Sequence, residues 1–397
     1  MKQYYKAALL RYWVVVPFLL WLVATEEQLA AGAVAGAAAE SSSTWGGQGQ
    51  LQLPLWVRPG DRRLLGMSVA GMAVDAVVAA DGTGQYTTIK QAVKAAEADT
   101  SGRRYTIHVK AGKYVEDVEI WRPNITIIGD GIGRTIISGR KSKNMNRGTA
   151  CTGTLNVQKD GFIARELTVE NTAGPQAMQA AAVVVKSDRA VFFRCEITGY
   201  QDTLLADVYR QFYRECVISG TIDFVWGEAT AVFQMCHLLV RRPLEGSHNT
   251  ITAQGRRHTN DSEPVVARSG FVFQECNVST KEDLRGVDTY LGRPWHPYSR
   301  VIFMSSYLDG NVVNPKGWVA WRINNATDER STASTVYYAE YNNTGAGANV
   351  TQRVNWHGFH LLAPHEVRNF TVDSFIDGGS WLPETNVPYH LDLDLGL

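Results

Sequence analysis

Cys195-Glu-Ile-Thr-Gly-Tyr-Gln-Asp202 and Cys216-Val-Ile-Ser-Gly-Thr-Ile-Asp223 are one pattern written twice, 21 residues apart. Cys, Ile, a hydroxyl residue, Gly and Asp recur at matching places. A repeat of about twenty residues built from short β-branched runs marks a solenoid. The expected fold class is all-β, a right-handed parallel β-helix; a plain β-sandwich leaves the echo unexplained. Equivalent positions on successive rungs of such a coil sit about 4.8 Å apart, so Asp202 and Asp223 are expected as stacked neighbours. Two carboxylates that close cannot ionise independently, and one is pushed toward the neutral acid unless a cation intervenes. An acid beside a nucleophile points to an enzyme.

Outward from the repeat, the same texture continues in both directions. Short β runs are expected at Val77–Ala80, Tyr105–Val109, Ile125–Ile128, Thr135–Ile137, Gly161–Val169, Ala181–Val185, Val191–Phe193, Val232–Phe233, Phe271–Phe273 and Val301–Met304, separated by turns rich in Gly, Asn and Asp. Between the first two, Ile89, Ala92, Val93 and Ala96 fall at helical spacing behind Thr88, a suitable N-cap, so one short capping helix is expected at the start of the coil. From about Thr327 the tail mixes polar turns with aromatics and is expected to pack over the coil's flank.

The first 30 residues read as a signal peptide or signal anchor: Lys2, Lys6 and Arg11 precede an apolar run, Trp13 to Ala24, that is short for a bilayer and holds Pro17. Residues 31–70 form a low-complexity leader ending in Arg62-Arg63-Leu64-Leu65, a processing step or simply a solvated turn. The coil domain is expected over 71–397. Seven N-x-S/T sequons, at Asn124, Asn260, Asn277, Asn325, Asn342, Asn349 and Asn369, agree with a secretory route. Lys and Arg balance Asp and Glu at 39 each, so no global field suggests nucleic acid as a partner. His237, His248, His258 and His296 are scattered, and neither a metal site nor a cofactor is expected.

Gln179, Gln201 and Asp223 are spaced by 22 and 22, close to one coil each. Amide N–H groups suit an oxyanion forming at an attacked carbonyl. A carboxylate nucleophile, a carboxylic acid and two amide donors compose an ester-cleaving site without a serine. Polar ladders that only hydrogen-bond along a β-helix use the same residues, and spacing alone leaves both readings open.

Gly199-Tyr-Gln-Asp-Thr-Leu204, Gly220-Thr-Ile-Asp-Phe-Val-Trp-Gly227 and Leu291-Gly-Arg-Pro-Trp295 strongly resemble the signature motifs of plant pectin methylesterases, the pectinesterases. Gly112-Lys-Tyr-Val-Glu116, the segment Gly161–Gly174 and the closing Trp381-Leu-Pro-Glu-Thr-Asn-Val-Pro-Tyr389 match in style, so the resemblance runs from about Val77 to the C-terminus. It implies hydrolysis of homogalacturonan methyl esters to methanol and free carboxylates, by a secreted monomer in the cell wall, with no metal and with a proteinaceous inhibitor as a second partner. Residue by residue, it implies Asp223 as nucleophile and Asp202 as general acid and then base. Gln179 and Gln201 would form the oxyanion hole, and Arg293 would hydrogen-bond Asp223. Trp295, and less strongly Trp318, would be sugar subsites, with Trp226 shaping the cleft. It also implies a Cys236–Cys276 disulfide, leaving Cys151 free; Cys195 and Cys216, one rung apart, could stack or pair.

Two departures stand near those motifs: Trp226 where the family usually has Phe, and Leu205 where it usually has Tyr. They imply altered rate or substrate preference. Leu53–Leu65 resembles the linker after an inhibitor-like pro-region, yet 52 residues leave no room for a helical region of roughly 150. Two alternatives remain: a pectin-binding coil whose site has decayed, and a polygalacturonate-cleaving enzyme, since paired carboxylates also cleave glycosidic bonds. The glutamine donors and the Leu-Gly-Arg-Pro-Trp motif argue against cleavage.

Overall fold

The stretch from Leu204 to Gly227 contains one full turn of the coil and the first strand of the next. Leu204–Val208, Arg210–Arg214 and Val217–Gly220 each enter a different sheet, and Ile222–Gly227 returns to the first sheet one rung later. Val183 pairs with Leu204 and Leu204 with Val225, so the true rung offset here is 21 residues. The computed structural model describes residues 73–145, 148–259, 268–321 and 333–393. Among them the strands form three sheets of eleven, seven and eight, every ladder parallel, which is a right-handed parallel β-helix. The signal segment, the leader with Arg62–Leu65, and the sequons at Asn260 and Asn325 lie outside the described residues. Asn342, Asn349 and Asn369 are exposed, as glycan acceptors must be.

Corners between sheets are often a single residue with left-handed backbone, such as Tyr209 (φ 71°), Glu166 (φ 55°) and Glu215 (φ 52°). None is Gly or Asn, so composition hides them. That is why the expected run Gly161–Val169 is two strands, Ile163–Arg165 and Thr168–Asn171, joined at Glu166. The remaining expected runs are present with ends moved by at most two residues.

Inward-facing positions stack like on like. Phe162, Phe192, Tyr213, Phe233, Phe273 and Phe303 form a continuous file, with ring centroids 4.5–5.7 Å apart. Each such pair adds about 0.5–1.5 kcal/mol beyond its burial. Cys195, Cys216, Cys236 and Cys276 form a second file, all buried. The expected Cys236–Cys276 disulfide is not formed: both are free thiols, and their sulfurs donate to Tyr213 O (3.4 Å) and Phe233 O (3.2 Å). In-register stacking holds side chains about 4.8 Å apart, beyond the ~3.8 Å Cβ separation of a disulfide. Cys151 is free and exposed.

The capping helix is Ile89–Glu97, with Ile89, Ala92, Val93 and Ala96 buried and Thr88 accepting from Gln91 N. Glu116 also takes the N–H groups of Ile89 (2.8 Å) and Lys90 (3.0 Å), placing a carboxylate at the helix's positive end. The tail adds two more rungs, Tyr337–Tyr341 and Phe359–Leu361, then lays Phe370, Phe375, Ile376 and Trp381 against Val191, Phe212, Val232 and Ile302. It covers the flank, as expected.

Candidate active site

Asp223 sits in a break in strand pairing. Ile222 pairs with Thr250 and Val225 with Thr252, so Asp223 and Phe224 together oppose Ile251. Such a bulge re-aims side chains. Phe224 is fully buried, while Asp223 and Asp202 take left-handed backbone (φ 53° and 63°) and line a cleft on the outer face. Asp tolerates this conformation better than most residues. The Gly that precedes each Asp in the repeat has a steric cause: a Cβ on Gly220 would lie 2.3 Å from Phe224 Cβ and 2.6 Å from Tyr200 O.

Arg293 binds Asp223 with two parallel bonds, Nε to Oδ1 at 2.8 Å and Nη2 to Oδ2 at 2.6 Å. Thr250 Oγ1 donates to Oδ1 at 2.6 Å and accepts from Asp223 N at 3.0 Å. Asp202 is the opposite case. It follows the same 21-residue offset that pairs Leu204 with Val225, and Asp202 N donates to Ile222 O at 3.0 Å, so the two aspartates are rung neighbours. Burial, and then the charge of Asp223, push the Asp202 carboxyl well above the usual carboxylate range, while Arg293 and Lys143 pull it back by less. The pair is therefore split into an ion-paired carboxylate and a group disposed to hold its proton.

The cleft has a volume of about 300 Å³ and gathers Gln179, Gln201, Asp202, Asp223, Arg293, Trp226 and Trp295 from the expected set, with Lys143, Thr149, Ala253 and Trp321 besides. Gln179 Oε1 is buried with no partner among the described residues, so that amide oxygen is not tied down. The larger hollow, about 1210 Å³, opens at the other ends of the site strands and holds none of these groups. Its Asp188 is matched by Arg210 at 2.8 Å.

A pectinesterase family model matches residues 75–379. The chain belongs to the pectinesterase family. It is 48% identical over 345 residues to the probable pectinesterase/pectinesterase inhibitor 32 of Arabidopsis thaliana and 46% identical over 341 residues to pectinesterase 2 of Citrus sinensis. Each match covers 85% of this chain and 63% of the relative, so the chain spans under two thirds of their length. Pectin methylesterase from carrot superposes with a TM-score of 0.76 at 41% identity, covering 81% of this chain and 99% of that one. The Aspergillus niger pectin methylesterase gives 0.65 at 27%, covering 81% and 96%.

Within this pectinesterase coil, Trp318 is not where it was expected. It is 1% exposed, stacked on Tyr338 at 4.2 Å and edge-on to Phe303. Trp318 makes an isolated bridge to Gly292. Trp321, which no motif singles out in the sequence, lines the cleft instead. Its ring lies over the Arg293 guanidinium, 4.2 Å from Cζ to centroid. Trp226 meets Trp295 edge-on at 5.4 Å and donates through Nε1 to Asp202 O at 3.2 Å. Leu205, the rung neighbour of Trp226, is 2% exposed and packs with Ala181, Val184 and Ala253 beneath the rings, so it floors the cleft without lining it. The 22-residue spacing of Gln201 and Asp223 is one off the rung offset, so these two do not share a row; the aspartates do. Among the described residues no His, Cys, Asp and Glu group could hold a metal, and no helix is long and apolar enough to cross a membrane.

Proposed function

We propose that the chain is a pectin methylesterase, hydrolysing methyl esters of homogalacturonan to methanol and free carboxylates. The observation that carries this reading is the unequal aspartate pair: Asp223 gripped by Arg293, Asp202 disposed to keep its proton, side by side in a cleft with two glutamine amides. Asp223 attacks the ester carbonyl carbon, and the displaced π pair moves onto the carbonyl oxygen, where the Gln179 and Gln201 amides donate to it. Collapse expels methoxide, which takes the Asp202 proton and leaves as methanol. The acyl group remains on Asp223 as an anhydride. Asp202, now a base, takes a proton from water, whose oxygen attacks the acyl carbon and releases the galacturonate acid and Asp223. No metal or redox partner enters the balance. Trp295 and Trp321 supply ring faces for sugar.

Further support comes from a pectin methylesterase solved in complex with a hexasaccharide, with a TM-score of 0.61 at 25% identity. Relatives named pectinesterase/pectinesterase inhibitor carry the second partner class in their names, and an inhibitor protein closing this cleft is part of the reading. So is action as a secreted monomer in the cell wall. The test is methanol release from highly methylated pectin, with Asp223→Asn alongside. Release that falls roughly 10⁴-fold in the variant while pectin still binds is the expected result. Normal release by the variant removes Asp223 as nucleophile, and none from the folded parent chain removes the esterase.

A further inference from the structure

The two oxygens of Asp223 are not equivalent. Oδ1 accepts twice, from Thr250 Oγ1 at 2.6 Å and from Arg293 Nε at 2.8 Å. Oδ2 accepts once, from Arg293 Nη2 at 2.6 Å. A carboxylate oxygen has about two lone-pair sites, so Oδ1 is filled and Oδ2 keeps one open. We infer that Thr250 is a positioning residue that fixes Oδ2 as the attacking atom. This rests on the esterase reading above and adds to it the choice of oxygen and the residue that makes it.

Thr250 is equipped for that task by its place in the coil. It is fully buried in the strand Asn249–Gln254, directly opposite Ile222, where the pairing shifts. The bulge leaves Asp223 N–H without the ladder partner a regular strand would give it, and Thr250 Oγ1 accepts that N–H at 3.0 Å. The same hydroxyl then donates its proton to Oδ1. One side-chain oxygen therefore ties both the backbone and the carboxylate of Asp223, closing a small ring that holds the side-chain torsions. With Oγ1–H fixed on Oδ1 and the guanidinium in the carboxylate plane, the remaining Oδ2 lone pair is the one left for the carbonyl carbon. Attack through Oδ1 would have to give up a charge-assisted hydrogen bond. Alignment of this kind governs rate more than ground-state binding.

The experiment compares Thr250→Val, which keeps shape and loses the hydroxyl, with Thr250→Ser, which keeps the hydroxyl. Thr250→Ala repeats the loss without bulk if the Val variant folds poorly. Expected is a fall in kcat for methanol release of about ten- to hundredfold in Val or Ala, KM nearly constant, and recovery to within about threefold in Ser. Loss of kcat equal in Ser and Ala, or full kcat in Val, overturns the assignment. A second readout needs no turnover: esterification of Asp223 by glycidol, located by mass spectrometry. Slower labelling in Ala than in Ser supports the oxygen selection, and equal labelling overturns it. If pectin gives no methanol but the labelling contrast holds, the esterase reading fails while the role of Thr250 stands.

Discussion

Arg293 holds both carboxylate oxygens of Asp223 across 70 residues of sequence, and the ring of Trp321 lies over its guanidinium. Those positions meet only because successive coils stack Asp223, Thr250 and Arg293 on neighbouring strands. Lysine cannot reproduce a flat, two-bond grip that also presents a face to an indole. Arg293→Lys is therefore expected to lower kcat for methanol release by about 10- to 100-fold although charge is conserved. Steady-state kinetics on methylated pectin checks it; a Lys variant with parent kcat would mean that charge alone suffices.

The pH dependence follows from Asp202. Burial and the neighbouring Asp223 charge raise its carboxyl, and Lys143, exposed at the cleft mouth, works in the opposite direction. Removing that cation in Lys143→Met leaves Asp202 protonated to higher pH, so the basic limb of kcat/KM should move upward. Because Lys143 is solvated, the effect should be largest at low ionic strength and fade with salt. A limb that moves down, or stays put at low salt, contradicts the assignment of Asp202 as the acid.

The same group sets a stability prediction. A carboxyl whose folded pKa lies above its unfolded one binds its proton more tightly in the native state. Its contribution is intact below the unfolded value of about 4 and is lost as pH rises through the raised folded value. Asp202→Asn removes that loss. The variant should melt higher than the parent at pH 7 and show little gain at pH 3, by calorimetry at both pH values; a gain confined to acid would reverse the sign.

Trp318 and Trp321 should separate stability from binding. Trp318→Ala empties a buried site between Tyr338 and Phe303 and is expected to cost about 3–5 kcal/mol. Trp321→Ala should stay within about 1 kcal/mol of the parent while raising KM for pectin. Denaturant unfolding and kinetics on both variants decide; an unstable Trp321 variant with normal KM would exchange their roles.

Much of this is legible in the sequence itself. The doubled Cys-to-Asp pattern carried the rung length, and hence the adjacency of Asp202 and Asp223. The helical spacing after Thr88 carried the capping helix. Position around the coil was harder. Tyr209, Glu166 and Glu215 turn corners that Gly and Asn usually mark, so strand ends were blurred. Which side chains reach the cleft depends on how the chain leaves each strand, so nothing in the sequence separates the cleft-lining Trp321 from the buried Trp318. Thr250 had no motif of its own; its role exists only where the bulge at Asp223 leaves an N–H for it to accept. Cys195 and Cys216 are legible as one rung apart, but the file they share with Cys236 and Cys276 is not, and bonding turns on Cβ separation, which spacing does not supply.

The stacking of rungs has a bearing on how the molecule comes apart. In a linear array each turn leans on its two neighbours, so disorder enters from the ends and travels inward. The strand bearing Asp223 and the strand that follows Asp202 stand mid-file, with others paired on either side. Warmed slowly, such a coil unravels as a rope frays, and the knot at its centre is the last part to slip. Turnover should thus persist through the first losses of structure and stop only when those losses reach the middle turns.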